Sequence, residues 1–187
     1  EMQFRKVPHG TALLIGALLL ALSAFHYYTA GFGLMRETTH RGIHLAFVLG
    51  LIFLVFSRRK SDAGTVHPST MLRPGGVPIY DWLFAVAVAV ASLYVPYVFE
   101  DLVFRVGNPS TLDVVMGSIT IILMIEATRR AIGWGLPLIA LFAIVYAIFG
   151  TWFPGIFLHP GATWSNLVNH LYVTSQGVYG VALGVVA

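Results

Sequence analysis

Three charged residues stand together between two long apolar runs of this sequence. Glu126 precedes Arg129 and Arg130 by three and four positions, which places both arginines beside the carboxylate on one helix face. Charges inside a membrane helix mark an ion or solute path in many transport proteins. In the last turns of a helix at a membrane surface, cations instead complement the helix dipole. We favour this second interpretation, which predicts that the three residues position the helix by packing or docking.

His40 and His44 are the second candidate group. Their i, i+4 spacing could place two imidazoles on one helix face as metal ligands, but no third His and no acidic residue accompanies them between Thr38 and Ser57. The sequence has no cysteine, no Gly-x-Ser-x-Gly elbow and no phosphate-binding loop. It therefore predicts no catalytic residues, no metal site and no enzyme activity. A metal-dependent membrane enzyme using the two histidines is the alternative.

The composition identifies the setting of these residues. Hydrophobic residues make up 57% of the chain and charged residues 10%, whereas a soluble domain has about 25% charged residues. Several apolar runs approach the roughly 20 residues that a helix needs to cross a bilayer. The basic residues are too scattered for a nucleic-acid interface. The composition predicts an all-α, polytopic membrane protein with about five transmembrane helices and two amphipathic helices at the interface.

The boundaries of these helices follow from turn and capping signals. The first four spans are expected at about residues 8–29, 39–56, 78–97 and 111–132. The fifth has Pro137 in its first turn and continues to Phe149 or Trp152, and the interfacial helices are expected at 98–106 and 164–172. Asp81 and Asp113 are interpreted as caps at helix starts, and Ser110 with Asp113 forms a capping-box signature. A cleaved secretory signal peptide is the alternative for the first span.

The basic residues also predict an orientation. With the N-terminus in the cytoplasm, eight of the eleven basic residues are cytoplasmic and three are outside, as the positive-inside rule requires. The cytoplasmic eight are Arg5, Lys6, Arg58, Arg59, Lys60, Arg73, Arg129 and Arg130, and the outer three are Arg36, Arg41 and Arg105. The apolar run that ends at Ala187 predicts that the chain is a piece of a longer protein.

Several motifs, taken in order, resemble a known family. They are RGIHLAF at residues 41–47, Asp81 at a helix start, EATRR at 126–130, and Gly133-Trp134 followed by Leu136-Pro137. Further motifs downstream are Tyr146, Phe149-Gly150, Pro154-Gly155, His170-Leu171-Tyr172 and Gly177-Val178-Tyr179-Gly180-Val181. From Arg41 to Ala187 the chain resembles the N-terminal, small-subunit-like part of fused TRAP (tripartite ATP-independent periplasmic) transporter permeases.

The resemblance implies a domain plan and a function. It implies a four-helix scaffold domain at 37–150, and at 151–187 an interfacial helix and the start of a large transport domain that this chain lacks. The N-terminal spanning helix at 1–36, predicted from its apolar run, precedes the part that carries the resemblance. The complete permease would be a secondary, sodium-driven symporter for organic acids in the bacterial inner membrane, with an extracytoplasmic solute-binding protein as partner. The alternative is a structural anchor or assembly subunit of a membrane enzyme complex.

The ion and solute sites of such permeases lie in the large domain, so no substrate-binding residue and no cofactor is expected within this chain. Its expected partners are the large transport domain, the periplasmic solute-binding protein and the lipid bilayer. The family-like positions in this chain are assigned to helix packing or docking. They are Glu126, Arg129, Arg130, Arg41 and His44.

Overall fold

A computed structural model describes residues 4–33, 35–59, 62, 64–105, 107–174 and 176–184. Its helices in chain order are α1 (His9–Gly31), α2 (Glu37–Val55), α3 (Ile79–Tyr97), α4 (Phe99–Val103), α5 (Thr111–Ile132), α6 (Gly135–Ile148) and α7 (Trp164–Val168). Among these described residues, β-structure is limited to isolated bridges. The all-α prediction is confirmed.

Four of the helices have the length and composition of membrane spans. They are α1, α2, α3 and α5, with 23, 19, 19 and 22 residues. At about 1.5 Å per residue they approach or exceed the roughly 30 Å of bilayer hydrocarbon. The chain is a polytopic helical membrane protein. Its predicted orientation, with a cytoplasmic N-terminus, stays a prediction.

The fifth predicted span ends within one residue of the nearer of its two expected ends, Phe149. Helix α6 is apolar but has 14 residues, about 21 Å of helix. It ends at Ile148, and a 3-10 turn follows at Gly150–Trp152. The loop after this turn folds back, so that the Ala162 amide donates to the Ala147 carbonyl at 2.8 Å. The loop thus satisfies a carbonyl that further helix would have bonded. The expected end at Phe149 agrees with the structure to within one residue, and the longer continuation to Trp152 as α-helix was wrong.

The chain divides into two compact units, Glu1–Tyr97 and Val98–Ala187. The predicted domain plan, with boundaries after residues 36 and 150, stays a prediction.

In the first unit, α2 packs along α3. The buried apolar side chains of this contact include Leu45, Leu49, Phe53, Val88, Ala91 and Val95. Gly42 lies at the close approach of the two helices, because a Cβ there would meet the Pro96 ring and would lie 3.0 Å from the Ser92 carbonyl oxygen. The glycine of the RGIHLAF motif is therefore required for helix packing.

The N-terminal segment is bound to the same unit. The backbone amide of Arg5 donates to the Val55 carbonyl at 2.8 Å, and the Phe4 ring lies 4.9 Å from the Phe56 ring. The Arg5 guanidinium forms an ion pair with Asp81, and both side chains are buried. Asp81, expected as a cap, is therefore also one half of a buried ion pair across 76 positions of sequence.

The second unit is built on α5. Its predicted capping box is present: Asp113 N donates to Ser110 Oγ at 3.2 Å, and Ser110 N donates to Asp113 Oδ2 at 2.7 Å. The helix begins at Thr111, as predicted, and ends at Ile132 before Gly133, whose φ of 98° suits glycine. Arg105 Nη1 lies 3.4 Å from Asp113 Oδ2 and adds a cation beside this buried carboxylate.

The first amphipathic helix is shorter than predicted, whereas the second covers its predicted range of 164–172 as an α-helix followed by a π-helical turn. Helix α4 covers five residues of the expected 98–106, and Val106 lies outside the described residues. Helix α7 continues as a π-helical turn, Asn169–Val173. Val168 and Tyr172 from this second segment are fully buried, and Trp164 Nε1 donates to Ser118 Oγ of α5 at 2.8 Å. The apolar face of the second segment thus packs on α5.

The packing of Val168 and Tyr172 on α5 depends on the absence of a side chain at Gly117. An alanine Cβ at this position would meet the Val168 side chain and would lie 2.9 Å from Tyr172 Cδ1. We expect Gly117→Ala to destabilise the protein by about 1–2 kcal/mol, because overpacking outweighs the better helix propensity of alanine. Thermal unfolding in detergent, followed by circular dichroism, measures the change.

Gly16→Ala is the matched control, because Gly16 is also inside a helix and a Cβ there would meet nothing within 4 Å. This variant is expected to keep or raise the midpoint of unfolding. Equal midpoints for the two variants would show that Gly117 is not needed for the contact with Val168 and Tyr172.

Candidate functional site

The structure brings Glu126, Arg129 and Arg130 together as one charge cluster near the end of α5. Arg129 donates from Nε to Glu126 Oε2 at 2.7 Å and from Nη2 to Oε1 at 2.8 Å. Arg130 donates from Nε to Glu126 Oε1 at 2.8 Å. The carboxylate thus accepts a two-point bond from one arginine and a further bond from the other, which is the strong geometry for such pairs.

Burial within the charge cluster is uneven. The Arg130 side chain has no exposed surface, whereas 18% of Arg129 and 23% of Glu126 are exposed. The guanidinium carbon of Arg129 lies 5.5 Å from the centre of the Trp134 ring, within cation–π range. One carboxylate and two guanidinium groups leave one net positive charge, located where the helix dipole favours cations.

The position of the charge cluster in the fold favours a role in holding α5 and α6. It lies in the last two turns of α5, just before the Gly133 turn from which α6 begins at Gly135. Its acceptor oxygens are bonded to its own arginines. The assignment to packing or docking stays a prediction.

Arg41 and His44 lie in the other unit, on α2. Arg41 forms an i, i+4 ion pair with Glu37 in the first turns of this helix. His44 Nδ1 lies 2.8 Å from His26 Nε2 of α1, at hydrogen-bond distance. Arg41 and His44 are therefore held by local partners within their own unit, and their assignment to packing or docking also stays a prediction.

His26 joins His40 and His44 in what we call the His cluster, and the sequence analysis missed it. The His26 ring lies 5.1 Å from the His40 ring and 4.9 Å from the His44 ring. Thr29 Oγ1 lies 3.3 Å from His40 Nε2. A signal was present: α1 and α2 are joined by a short loop, so residues at similar distances from that loop face each other.

The geometry of the His cluster bears on the metal-enzyme alternative, and the prediction that the chain has no metal site stays a prediction. The facing nitrogens of His26 and His44 lie 2.8 Å apart, at hydrogen-bond distance from each other. Within the described part of the chain, no group of three or more His, Cys, Asp or Glu side chains is placed to hold a metal ion. The metal-enzyme alternative gains no third ligand from these residues.

Comparisons with known proteins connect the chain to membrane transport. No family model matches it, and no solved structure matches it. The chain is similar to the MFS-type transporter ptmT of Penicillium ochrochloron, with 26% identity over 74% of this chain and 25% of that protein. It therefore spans about a quarter of the length of that relative. The similarity is to a membrane transporter, and the resemblance to TRAP permeases depends on the motifs alone.

Proposed function

We propose that this chain is the membrane scaffold part of a secondary transporter of the TRAP type. In this role the chain holds a transport domain in the inner membrane while that domain moves. The transport domain receives an organic acid from an extracytoplasmic solute-binding protein, and a sodium gradient drives the uptake. A role in membrane transport is supported by the spanning helices and by the similarity to a membrane transporter. The TRAP assignment is supported by the ordered motifs.

The observation that carries the scaffold role is the pairing of charges inside each unit. In the first unit Arg5 pairs with Asp81, and Arg41 with Glu37. In the second, Glu126 binds both Arg129 and Arg130. Ionisable groups in membrane helices mark a solute or ion path where they face a water-filled cavity. Carboxylates already bonded to arginines of the same unit instead stabilise one arrangement of the helices.

The test compares uptake by the chain alone with uptake by the complete permease. Both are reconstituted in proteoliposomes with an imposed sodium gradient, and a panel of radiolabelled carboxylic acids is added together with the solute-binding protein. We expect uptake by the complete permease and none by residues 1–187 alone. Uptake by this chain alone would contradict the scaffold role.

A part of an MFS-type transporter is a second candidate, favoured by the 26% identity with ptmT. The solute-binding protein separates the two proposals, because only the TRAP-type mechanism requires it. Uptake by the complete protein without any solute-binding protein would favour the MFS-type alternative. Co-purification with a cofactor-bearing enzyme subunit, and no uptake at all, would favour the anchor of a membrane enzyme complex.

A further inference from the structure

An apolar groove of about 600 Å³ lies between α5 and α6 in the second unit. Its walls are aliphatic side chains and two small alanines, and the segment after α7 closes one side. The lining includes Ile121, Met124, Ile125, Ala140, Ala143 and Leu171. Thr128 also lines it, but its hydroxyl donates to the Met124 carbonyl at 2.8 Å. The groove therefore offers a surface for hydrocarbon.

The groove residues nearest to the turn between α5 and α6 are close in sequence to the charge cluster. Thr128 lines the groove near this turn and directly precedes Arg129 in the sequence. Leu136 lines it too and is separated from Trp134 by Gly135. The Arg129 guanidinium lies over the Trp134 ring. Glu126 accepts from Nε and Nη2 of Arg129. In the part of the chain that the structure describes, Arg129 Nη1 makes no further hydrogen bond, so it can donate to an added anion.

We propose that this groove binds an anionic phospholipid, with an acyl chain between α5 and α6 and the phosphate at Arg129. Three observations select this occupant: the lining is apolar, α5 has the composition of a membrane span and α6 is apolar, and the charge cluster that follows Thr128 in sequence carries one net positive charge. Basic pockets between membrane helices on the cytoplasmic side bind acidic head groups. In the predicted orientation the charge cluster lies on that side.

Each part of the lipid meets a matching group. An empty groove would deprive its lining of dispersion contacts, and a hydrocarbon chain restores them. Guanidinium groups bind phosphate through several N–H donors, and an indole beside the head group is the usual interfacial arrangement. The proposal requires that α5 and α6 lie in a bilayer, and it does not depend on the TRAP assignment.

Native mass spectrometry of the purified chain tests the proposal. The chain is taken from nanodiscs of equal phosphatidylglycerol and phosphatidylcholine, and the retained lipids are counted. We expect phosphatidylglycerol to be retained over phosphatidylcholine by about fivefold, the preference that one basic residue provides at a membrane surface. Arg129→Gln should abolish the preference, Arg129→Lys should keep it, and Ala140→Phe should fill the groove and reduce retention of both lipids.

Matched controls separate this site from general attraction. Val145→Phe adds the same ring to α6 at an exposed position that does not line the groove, and Arg58→Gln removes an exposed charge elsewhere. Both should retain lipid like the unsubstituted chain. Ala143→Phe is the second groove-filling variant if Ala140→Phe does not fold. Equal retention of the two lipids, or unchanged retention in a folded groove-filling variant, would overturn the proposal. The proposal would also be overturned if a protein segment, and no lipid, occupied the groove.

Discussion

Replacing Arg5 with leucine is expected to lower the free energy of unfolding by about 3–5 kcal/mol, the usual cost of removing one partner of a buried ion pair. Asp81 is fully buried at the start of α3, and the guanidinium of Arg5 lies against its carboxylate with 2% of its own surface exposed. Without Arg5 the carboxylate keeps its desolvation and loses the nearby cation. Unfolding in detergent, followed by circular dichroism, measures the loss.

The neighbouring lysine is a matched control for this prediction. Lys6 carries the same charge one position further along but is exposed, so Lys6→Leu should change the free energy of unfolding by less than about 0.5 kcal/mol. The double variant Arg5→Leu/Asp81→Leu removes both charges and should recover much of the stability lost in Arg5→Leu. Arg5→Leu with the stability of Lys6→Leu would show that the ion pair contributes little.

The long helices were predictable because their signals are local. The apolar runs and the Ser110 capping box each lie within a few residues of the boundary that they determine. The end of α6 lies within one residue of Phe149, the last residue of its apolar run, so it was also predictable from a local signal. The hydrogen bond from the Ala162 amide to the Ala147 carbonyl was not, because it joins α6 to a loop and no pattern within the helix indicates it.

The candidate site shows the same distinction between local and tertiary information. The i+3 and i+4 spacing sufficed to predict that both arginines would lie beside Glu126, because a helix fixes that geometry. The complete burial of Arg130 required the fold. The Arg5–Asp81 pair joins residues 76 positions apart, and neither helical periodicity nor a motif connects them. The position of His26 beside His40 and His44 follows from the short loop that joins α1 and α2, and not from spacing within either helix.

The packing role of the charge cluster predicts an effect on stability before any effect on transport. We expect Glu126→Gln to destabilise the protein by about 2–3 kcal/mol, because hydrogen bonds to charged groups contribute about this much and one guanidinium is buried. Gln keeps one acceptor oxygen, so part of the geometry survives. In the proposed complete permease, the solute concentration for half-maximal uptake should stay unchanged while the yield of assembled, folded protein falls.

Glu37→Gln is the control, because Glu37 also pairs with an arginine at i+4 but is 71% exposed. An exposed pair of this kind contributes at most about 1 kcal/mol, so this variant should unfold close to the unsubstituted protein. The difference between the two Glu→Gln variants isolates the contribution of burial. If Glu126→Gln instead folded normally and changed the solute concentration needed for uptake, the cluster would lie on the transport path, and the first interpretation of these charges would be correct. The buried guanidinium of Arg130 argues against that outcome, because a path residue must be reached by solvent or solute during each cycle.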